Sequence, residues 1–440
     1  MKKNTVNLGL LGLGTVGSET LSILHRNKKN IEQKIGAQIH VSYLCDNDLK
    51  RLAEKSKKYG IKASNDWKKV VNDPDIDIII ELIGGKGIAK EAIIAALKSK
   101  KNVVTANKAI LAQNWDEIFD TAQKNNKLVY FEASVGSAIP VIQSLNEGLA
   151  ANRINYIAGI FNGTTNYIFT KMFREGLTFE EALKLAQLNG FAEADPKFDI
   201  EGIDAANKLS ILSSIAWSRW VKLENIYCEG VSSVDPIDIK FAYKEFGCIM
   251  KLLGVARRKG DTVELSVRPS LISKDHLFSS VENEFNSILL NGDSSGEIML
   301  YGKGAGGPAA ASAVVSDIMF LARQVAAGTD GSVPYVNNKG NEPLMFTVIG
   351  GHEGRYYLRF TAVDKPGVLS KITSILAKHK VSIADLFQNE PLENRDNCIP
   401  ILMVTHTVKE ALLRNALKEI NKLSIIKSKS VLIRIEDMSA

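Results

Sequence analysis

Three groups of residues in this 440-residue sequence combine types and spacings that can do chemistry. The first is Gly12-Leu13-Gly14-Thr15-Val16-Gly17, which directly follows the apolar run Val6–Leu11 and opens a helical pattern. In such a turn the first glycine permits the tight bend and the second lets the backbone approach a pyrophosphate. The third allows close helix–strand packing, and the free N–H groups of the helix meet the phosphate charge. The chemistry is dinucleotide binding; the plainer alternative is a tight turn between strand and helix. Asp46 ends the second apolar run, where a carboxylate would bond a ribose 2′-hydroxyl and favour NAD over NADP. It lies 29 residues beyond Gly17, against a usual offset of about 20, and the insertion Asn27–Gly36 can account for the delay. Asp46 can equally open the turn Asp46-Asn47-Asp48 and cap the helix that follows.

The second group consists of Leu82-Ile83-Gly84-Gly85 and Thr105-Ala106-Asn107-Lys108, each at the end of an apolar run. Ligands of parallel sheets bind outside the carboxyl ends of the strands. A lysine there can reach a nicotinamide site and polarise a carbonyl oxygen, although by itself Lys108 is equally one more surface lysine. The third group is the densest: five carboxylates fall within twelve residues, at Glu193, Asp195, Asp199, Glu201 and Asp204, and Lys208 follows. Asp204 and Lys208 are four apart and share one helix face. On a polar helix that would be an exposed pair worth a few tenths of a kcal/mol. Here Ala205, Ala206, Leu209 and Ile211 make the helix largely apolar, so the pair is semi-buried or lines a cleft. A cleft lysine beside a carboxylate is a reasonable proton donor.

The elements that must position these groups begin with strands expected at Val6–Leu11, Gln38–Cys45, Ile76–Glu81, Asn102–Thr105 and Lys127–Phe131. Between them lie helices at Glu19–His25, Asp48–Lys58, Ala89–Ser99 and Asp116–Asn125. That alternation predicts βαβ units and a parallel sheet. Residues from about 140 to 300 mix helical stretches (Phe179–Leu188, Ile203–Ser214, Ile237–Phe246) with alternating runs (Cys248–Arg257, Thr262–Pro269). They predict an α+β domain with an open antiparallel sheet. The glycine-rich Tyr301–Gly307 leads into an apolar helix at Ala309–Ala327, and residues 328–354 read as a linker. The tail reads as strand Tyr356–Val363, helix Val368–Lys380, strands Val381–Asn389 and Ile399–Thr407, helix Lys409–Leu423 and strand Val431–Glu436. This βαββαβ order is that of a ferredoxin-like domain.

Composition narrows the classes. Lys and Arg total 55 against 49 Asp and Glu, so the charge of +6 is spread thinly over a long chain. That argues against a nucleic-acid partner bound through a dense basic patch. Thirty-three glycines and 11 prolines exclude collagenous and broadly disordered classes. No apolar run is expected to reach the roughly 18 residues of a membrane helix. The N-terminal Lys-Lys followed by an apolar stretch imitates a signal peptide, but Gly12, Gly14 and Gly17 break it, and a buried first strand is the better reading. The cysteines Cys45, Cys228, Cys248 and Cys398 form no CxxC pair and read as thiols of a reducing, cytoplasmic compartment.

Taken together, the glycine fingerprint, Thr105–Lys108, Phe131-Glu-Ala-Ser-Val-Gly136, Asn162-Gly-Thr-Thr-Asn-Tyr167, the run Glu193–Lys208 and Gly302-Lys-Gly-Ala-Gly-Gly307 resemble homoserine dehydrogenase. The tail, with Asp364-Lys-Pro-Gly-Val-Leu369, resembles an ACT domain, as in the long bacterial form of that enzyme. The resemblance implies reversible reduction of L-aspartate 4-semialdehyde to L-homoserine by NAD(P)H. In the family pattern Lys208 matches the proton donor and Lys108 a second lysine touching cofactor and substrate. Glu193, Asp199 and Asp204 match residues that hold the substrate with Lys208. Gly12, Gly14, Thr15, Val16, Gly17, Asp46, Gly84, Lys108, Gly190 and Gly306 make up the expected cofactor set. Glu132, Val135, Ser137 and Ile139 match a main-chain sodium site, with Ser137 standing where glycine is expected. Cys45 stands where many members carry Arg or Lys for a 2′-phosphate, which leaves NAD against NADP open. L-threonine is the expected effector, near Asp364, Pro366 and Gly367.

The implied architecture is a Rossmann domain (1–138 plus 307–330) and a substrate-binding and dimerisation domain (139–306). A linker (331–354) and an ACT domain (355–440) follow, and the assembly is a homodimer or homotetramer. Other readings compete. A sugar or inositol oxidoreductase shares the Rossmann start but not the Glu193–Lys208 run. Aspartate-semialdehyde dehydrogenase needs an activated cysteine. A non-catalytic regulator would not need Lys108, Asp204 and Lys208.

Overall fold

Apolar runs with no polar alternation need cover on both faces, and a parallel sheet flanked by helices provides it. In the computed structural model, which describes residues 3–85, 87–340, 342–388 and 398–438, six such strands form one sheet. They are β1 (Thr5–Leu11), β2 (Gln38–Cys45), β3 (Lys62–Ser64), β4 (Ile78–Glu81), β5 (Asn102–Thr105) and β6 (Val129–Tyr130). All pairs are parallel and the order is β3-β2-β1-β4-β5-β6, the doubly wound arrangement that reverses between β1 and β4. The helices are α1 (Thr15–Arg26), α2 (Lys28–Ile35), α3 (Leu49–Tyr59), α4 (Trp67–Val71), α5 (Gly87–Lys98) and α6 (Lys108–Lys124). The insertion Asn27–Gly36 is thus itself a helix, with Ile31 and Ile35 buried. α6 begins eight residues before the expected Asp116, because Asn107 accepts the Ile110 N–H and starts a turn that buries Ile110 and Leu111.

Further along come α7 (Val141–Gln143), β7 (Ile154–Ile160), α8 (Gly163–Glu175), α9 (Phe179–Leu188), α10 (Lys197–Ile200) and α11 (Ile203–Ala216). They are followed by β8 (Tyr227–Cys228), α12 (Pro236–Phe246), β9 (Cys248–Lys259), β10 (Thr262–Ser273), β11 (Phe285–Gly292), β12 (Gly296–Lys303) and α13 (Gly307–Ala327). The tail adds β13 (Met345–Phe346), β14 (Glu353–Val363), α14 (Val368–Lys378), β15 (Ile383–Gln388), β16 (Cys398–Thr405), β17 (Val408–Lys409), α15 (Glu410–Ile420) and β18 (Val431–Ile435). Asn389, the last residue of one expected strand, lies outside the described residues.

The chain divides into two compact units, Met1–Phe161 with Ala206–Leu223 and Asn286–Glu342, and Asn162–Ala205 with Glu224–Phe285 and Pro343–Ala440. In the first, α13 returns to the parallel sheet. Its residues Val314, Ile318 and Leu321 share a core with Leu8 and Leu10 of β1 and Leu21 and Leu24 of α1. α13 holds no uninterrupted apolar run of membrane-spanning length, yet by length and mean hydropathy it is long and apolar enough to cross a membrane, and over half of that apolar stretch is buried in the core. Ser312, Ser316 and Asp317 interrupt its apolar run, which hid the helix from a search for uninterrupted residues.

In the second unit, β9 and β10 pair antiparallel along their whole length. β10 also pairs in parallel with β8, with β13 inside the stretch expected to be a linker, and with β18. The tail sheet runs β18-β14-β16-β15, all antiparallel, as the βαββαβ order requires.

A buried acid pair ties α13 to the exit of β6. The Glu132 N–H donates to Asp317 Oδ2 at 2.8 Å, and the Glu132 carboxylate accepts the N–H groups of Ile142 and Gln143 at 2.8 and 2.9 Å. Burial pushes the Glu132 carboxyl up to about 7 and raises that of Asp317 well above the usual carboxylate range. A folded-state value raised above the unfolded one contributes stability at low pH that is lost as pH rises through about 7. The free energy of unfolding should therefore fall between pH 5 and pH 8, by at most about 3 kcal/mol for this group. Glu132→Gln should flatten that fall, as measured by thermal denaturation across the pH range.

Candidate active site

The glycine fingerprint sits at the sheet's reversal point, between β1 and α1. Gly12 has φ +93°, and a Cβ there would lie 2.3 Å from the Leu82 carbonyl oxygen. A Cβ on Gly17 would lie 2.0 Å from the Gly12 carbonyl oxygen. Both positions thus exclude a side chain, one through a left-handed turn and the other through helix–strand contact. Around Gly14, the residue before the first turn of α1, there is open space, so the N–H groups of that turn are not covered by a side chain at this position.

Asp46 does not cap α3; Asp48 does, accepting the Arg51 N–H at 3.0 Å. Asp46 instead accepts the Leu13 N–H at 2.5 Å and the Asp48 N–H at 2.7 Å. Its carboxylate is thereby fastened to the fingerprint turn.

The loops carrying Gly84 and Lys108 are held together by a residue without an obvious role in the sequence, Glu81. Fully buried at the end of β4, it accepts the Thr105 hydroxyl at 2.7 Å and the Ile83 N–H at 2.8 Å. Burial raises its carboxyl above the usual value. Thr105 Oγ1 in turn accepts the Asn107 N–H, and the Asn107 amide donates to the Gly85 carbonyl at 2.8 Å. Lys108, the first residue of α6, is carried by this network.

A third glycine loop completes this side. Ser137, with φ +49° where glycine was expected, donates its hydroxyl to the Gly304 carbonyl at 3.0 Å. A Cβ on Gly304 would strike the Asn286 side chain, and one on Gly307 would lie 2.7 Å from Thr15 Cγ2. Gly306, just before α13, therefore neighbours the fingerprint helix. The expected sodium residues Glu132, Val135, Ser137 and Ile139 are all buried on one curled segment, bent by the left-handed Gly136 and Ser137.

On the acidic side, the organising residue is Asn162. Its Nδ2 donates to Asp199 Oδ1 at 2.7 Å and to Asp204 Oδ2 at 2.9 Å, while its Oδ1 accepts the Thr165 N–H and caps α8. Thr164 Oγ1 lies 3.3 Å from Asp199 Oδ2 and donates to the Phe191 carbonyl at 2.6 Å. Asp204 is buried and Asp199 half-buried. Glu193 is exposed; its carbonyl accepts the Gln187 amide, and Gly190, with φ +74°, follows the end of α9. Asp199 and Asp204 are thus brought together, whereas no described hydrogen bond joins the Glu193 side chain to them. Lys208 is buried one turn along α11 from Asp204, its Nζ 2.6 Å from the Phe161 carbonyl, which also accepts the Asn286 amide at 2.9 Å. Thr164 and Asn286, like Glu81, act through packing partners distant in sequence. For Asn162 a signal existed, since Asn before Gly-Thr-Thr is a helix N-cap pattern.

Residues 140–319 match the homoserine dehydrogenase family, residues 12–132 its NAD-binding domain, and residues 356–424 the ACT domain. A homoserine dehydrogenase of Neisseria gonorrhoeae is 41% identical over 437 residues, covering 98% of this chain and 99% of its own length. The chain belongs to the homoserine dehydrogenase family. The Bacillus subtilis homoserine dehydrogenase is 37% identical over 98% of both chains. A crystal structure of a homoserine dehydrogenase from Thiobacillus denitrificans superposes with a TM-score of 0.92 at 40% identity, covering all of both chains. A hyperthermophilic archaeal homoserine dehydrogenase in complex with NADPH is 27% identical, with a TM-score of 0.61 over 72% of this chain and 97% of its own.

As a homoserine dehydrogenase this chain is an NAD(P)-dependent oxidoreductase of amino-acid biosynthesis that interconverts L-aspartate 4-semialdehyde and L-homoserine. The cysteine route of an aspartate-semialdehyde dehydrogenase is disfavoured too, since burial pushes the Cys45 thiol up to about 11, away from a reactive thiolate. For this enzyme the Asn162 bracket carries a direct consequence. Asn162→Ala leaves two adjacent carboxylates without their shared donor and should raise the KM for homoserine at least tenfold while the KM for the dinucleotide stays within about twofold. Steady-state kinetics with each substrate varied in turn checks this.

Proposed function

We propose that Lys208 is the proton donor of the reaction and that Lys108 stabilises the developing charge from the cofactor side. The single observation that carries this reading is the placement of a buried lysine, one helical turn from a buried aspartate, in the run whose acids Asn162 brackets. The bound nicotinamide cofactor supplies the hydride in one direction and accepts it in the other. Hydride arrival at the aldehyde carbon leaves an alkoxide, and Lys208 Nζ hands it a proton. Asp199 and Asp204, with Glu193 from the flanking loop, hold the substrate ammonium, since a zwitterion needs a carboxylate partner. Gly12, Gly14, Thr15, Val16, Gly17, Gly84, Gly190 and Gly306 line the dinucleotide, and backbone oxygens of Glu132, Val135, Ser137 and Ile139 suit a sodium ion, a hard cation. Lys208→Ala should lower kcat by about 10²–10⁴-fold while the Kd for the dinucleotide, measured by fluorescence titration, is unchanged. A variant that keeps most of its activity overturns the assignment.

Asp46 biases the site toward NAD. Its carboxylate is fixed at the end of β2 by Leu13 and Asp48, and the guanidinium of Arg51 is shared between Asp48 at 3.0 Å and Asp46 at 3.9 Å. A ribose hydroxyl can donate to such a carboxylate, whereas a 2′-phosphate is repelled by it. The ACT domain senses L-threonine near the exposed turn Asp364–Gly367, whose Gly367 (φ +86°) opens α14, and the cytoplasmic enzyme is a homodimer or homotetramer. A spectrophotometric assay of homoserine oxidation with NAD and NADP side by side, with and without threonine, tests these points. A higher kcat/KM with NAD, and a response to threonine, are expected; preference for NADP would show that Asp46 does not decide.

A further inference from the structure

A cavity of 510 Å³ opens within the unit that carries the tail domain, and none of its lining residues has a role above. Arg414, Leu417 and Lys418 line it from α15, and Asn421 from that helix's C-cap. Their spacing, i, i+3, i+4 and i+7, makes them one stripe of that helix. The segment containing Glu229, Ser233 and Val234, and the approach to β18 with Lys429, supply the rest of the wall. Leu417 and Val234 are buried and give an apolar floor.

The charges have a definite pattern. Arg414 is held in place by Glu410, with Nε 2.8 Å from Oε1. Lys418 and Lys429 have no ion-pair partner among the described residues, although both line the cavity. Glu229 brings a carboxylate to the same space. Asp238 also lines it but is engaged by Arg359 and by the Tyr357 hydroxyl. We propose that this cavity binds a free α-amino acid with an uncharged side chain. Its carboxylate meets Lys418, Lys429 and Arg414, its ammonium meets Glu229, and its side chain rests on Leu417 and Val234. A simple anion gains less there, because Glu229 opposes it. The volume lies within the range of about 300–1,000 Å³ of small-molecule sites.

The cavity has a contact route to the acids of the substrate run. The Tyr227 hydroxyl lies 3.2 Å from Arg414 Nη2 and donates to Glu229 Oε2 at 3.0 Å, joining the two charged walls. The next residue, Cys228, donates its Sγ–H to the Glu201 carbonyl at 3.2 Å, and Val231 donates its N–H to the Ile200 carbonyl at 2.9 Å. Gly230 packs so closely there that a Cβ would lie 3.0 Å from that same oxygen. Ile200 and Glu201 directly follow Asp199. A ligand that draws Glu229 away from Tyr227 therefore changes the footing of Asp199, and homoserine and the amino acid must alter each other's affinity reciprocally.

This site is separate from the turn at Asp364–Gly367, and one experiment distinguishes them. The full-length enzyme is titrated calorimetrically with L-threonine, L-valine, L-alanine and inorganic phosphate. Lys418→Glu and Ser233→Trp, both at exposed positions, alter the cavity, and Pro366→Ala alters the turn. The expected result is binding of at least one amino acid that weakens tenfold or more in both cavity variants, not in Pro366→Ala, with a matching loss of its effect on the KM for homoserine. Unchanged binding in the cavity variants, with loss in Pro366→Ala, overturns the cavity and upholds the turn. Binding of phosphate alone, or of no amino acid at all, overturns the cavity's assignment to a zwitterion.

Discussion

Two carboxylates in a confined space repel each other unless a donor stands between them, and in this enzyme that donor is the side-chain amide of Asn162. The same side chain caps α8 with its oxygen, so the start of a helix and the spacing of Asp199 and Asp204 are one structural event. The helix is anchored a turn later. Asn166 donates to the carbonyls of Val281, Asn283 and Phe285, and buried Lys251 donates to Asn166 and to Val281. Burial pulls the Lys251 ammonium down to about 8. Gly163, just after the cap, packs so closely on the Glu284 carbonyl that any side chain would collide with it. The acidic cluster of the second unit thus rests on a dense set of polar contacts around one helix end.

The unit that carries the NAD-binding domain follows the same rule with different residues. Carboxylates at strand ends, desolvated by the sheet, find their partners in the N–H and O–H groups of neighbouring loops: Asp46 in Leu13, Glu81 in Ile83 and Thr105, Glu132 in Ile142 and Gln143. Each bond fixes a loop that leaves the carboxyl edge of the parallel sheet. The glycines make the loops possible, and the acids, with Glu81 and Glu132 buried and Asp46 half-buried, hold them in one arrangement.

The tail is built into its unit rather than attached to it. β18 pairs with β10, and Arg268 of β10 meets Glu410 of α15 at 2.8 Å, with both side chains buried. Removing one partner of such a pair strands a buried charge, which costs about 3–5 kcal/mol. Cutting away everything after residue 330 would instead remove Glu410 together with β18 and uncover this face of β10, so point changes disturb the unit less than truncation.

Much was legible in the sequence because it depends on local rules. Glycine spacing, apolar runs and the βαββαβ order report turns, parallel strands and the tail domain through backbone sterics and periodicity, and the full-chain resemblance named the family. The boundaries of α6, the helix inside the Asn27–Gly36 insertion and the pairing of β13 were missed, because caps and tertiary burial outweighed the local pattern. Asp46 shows the limit well: its type and position suggested ribose binding or capping, yet the structure has it accept the Leu13 N–H and leaves the cap to Asp48. The sequence by itself determined which residues could react and which strands could form. Only the tertiary structure decided that Glu81, Asn162, Asn286 and Lys251 hold those residues in place. Their partners lie up to 125 residues away, and a hydrogen bond between distant segments leaves no periodicity to read.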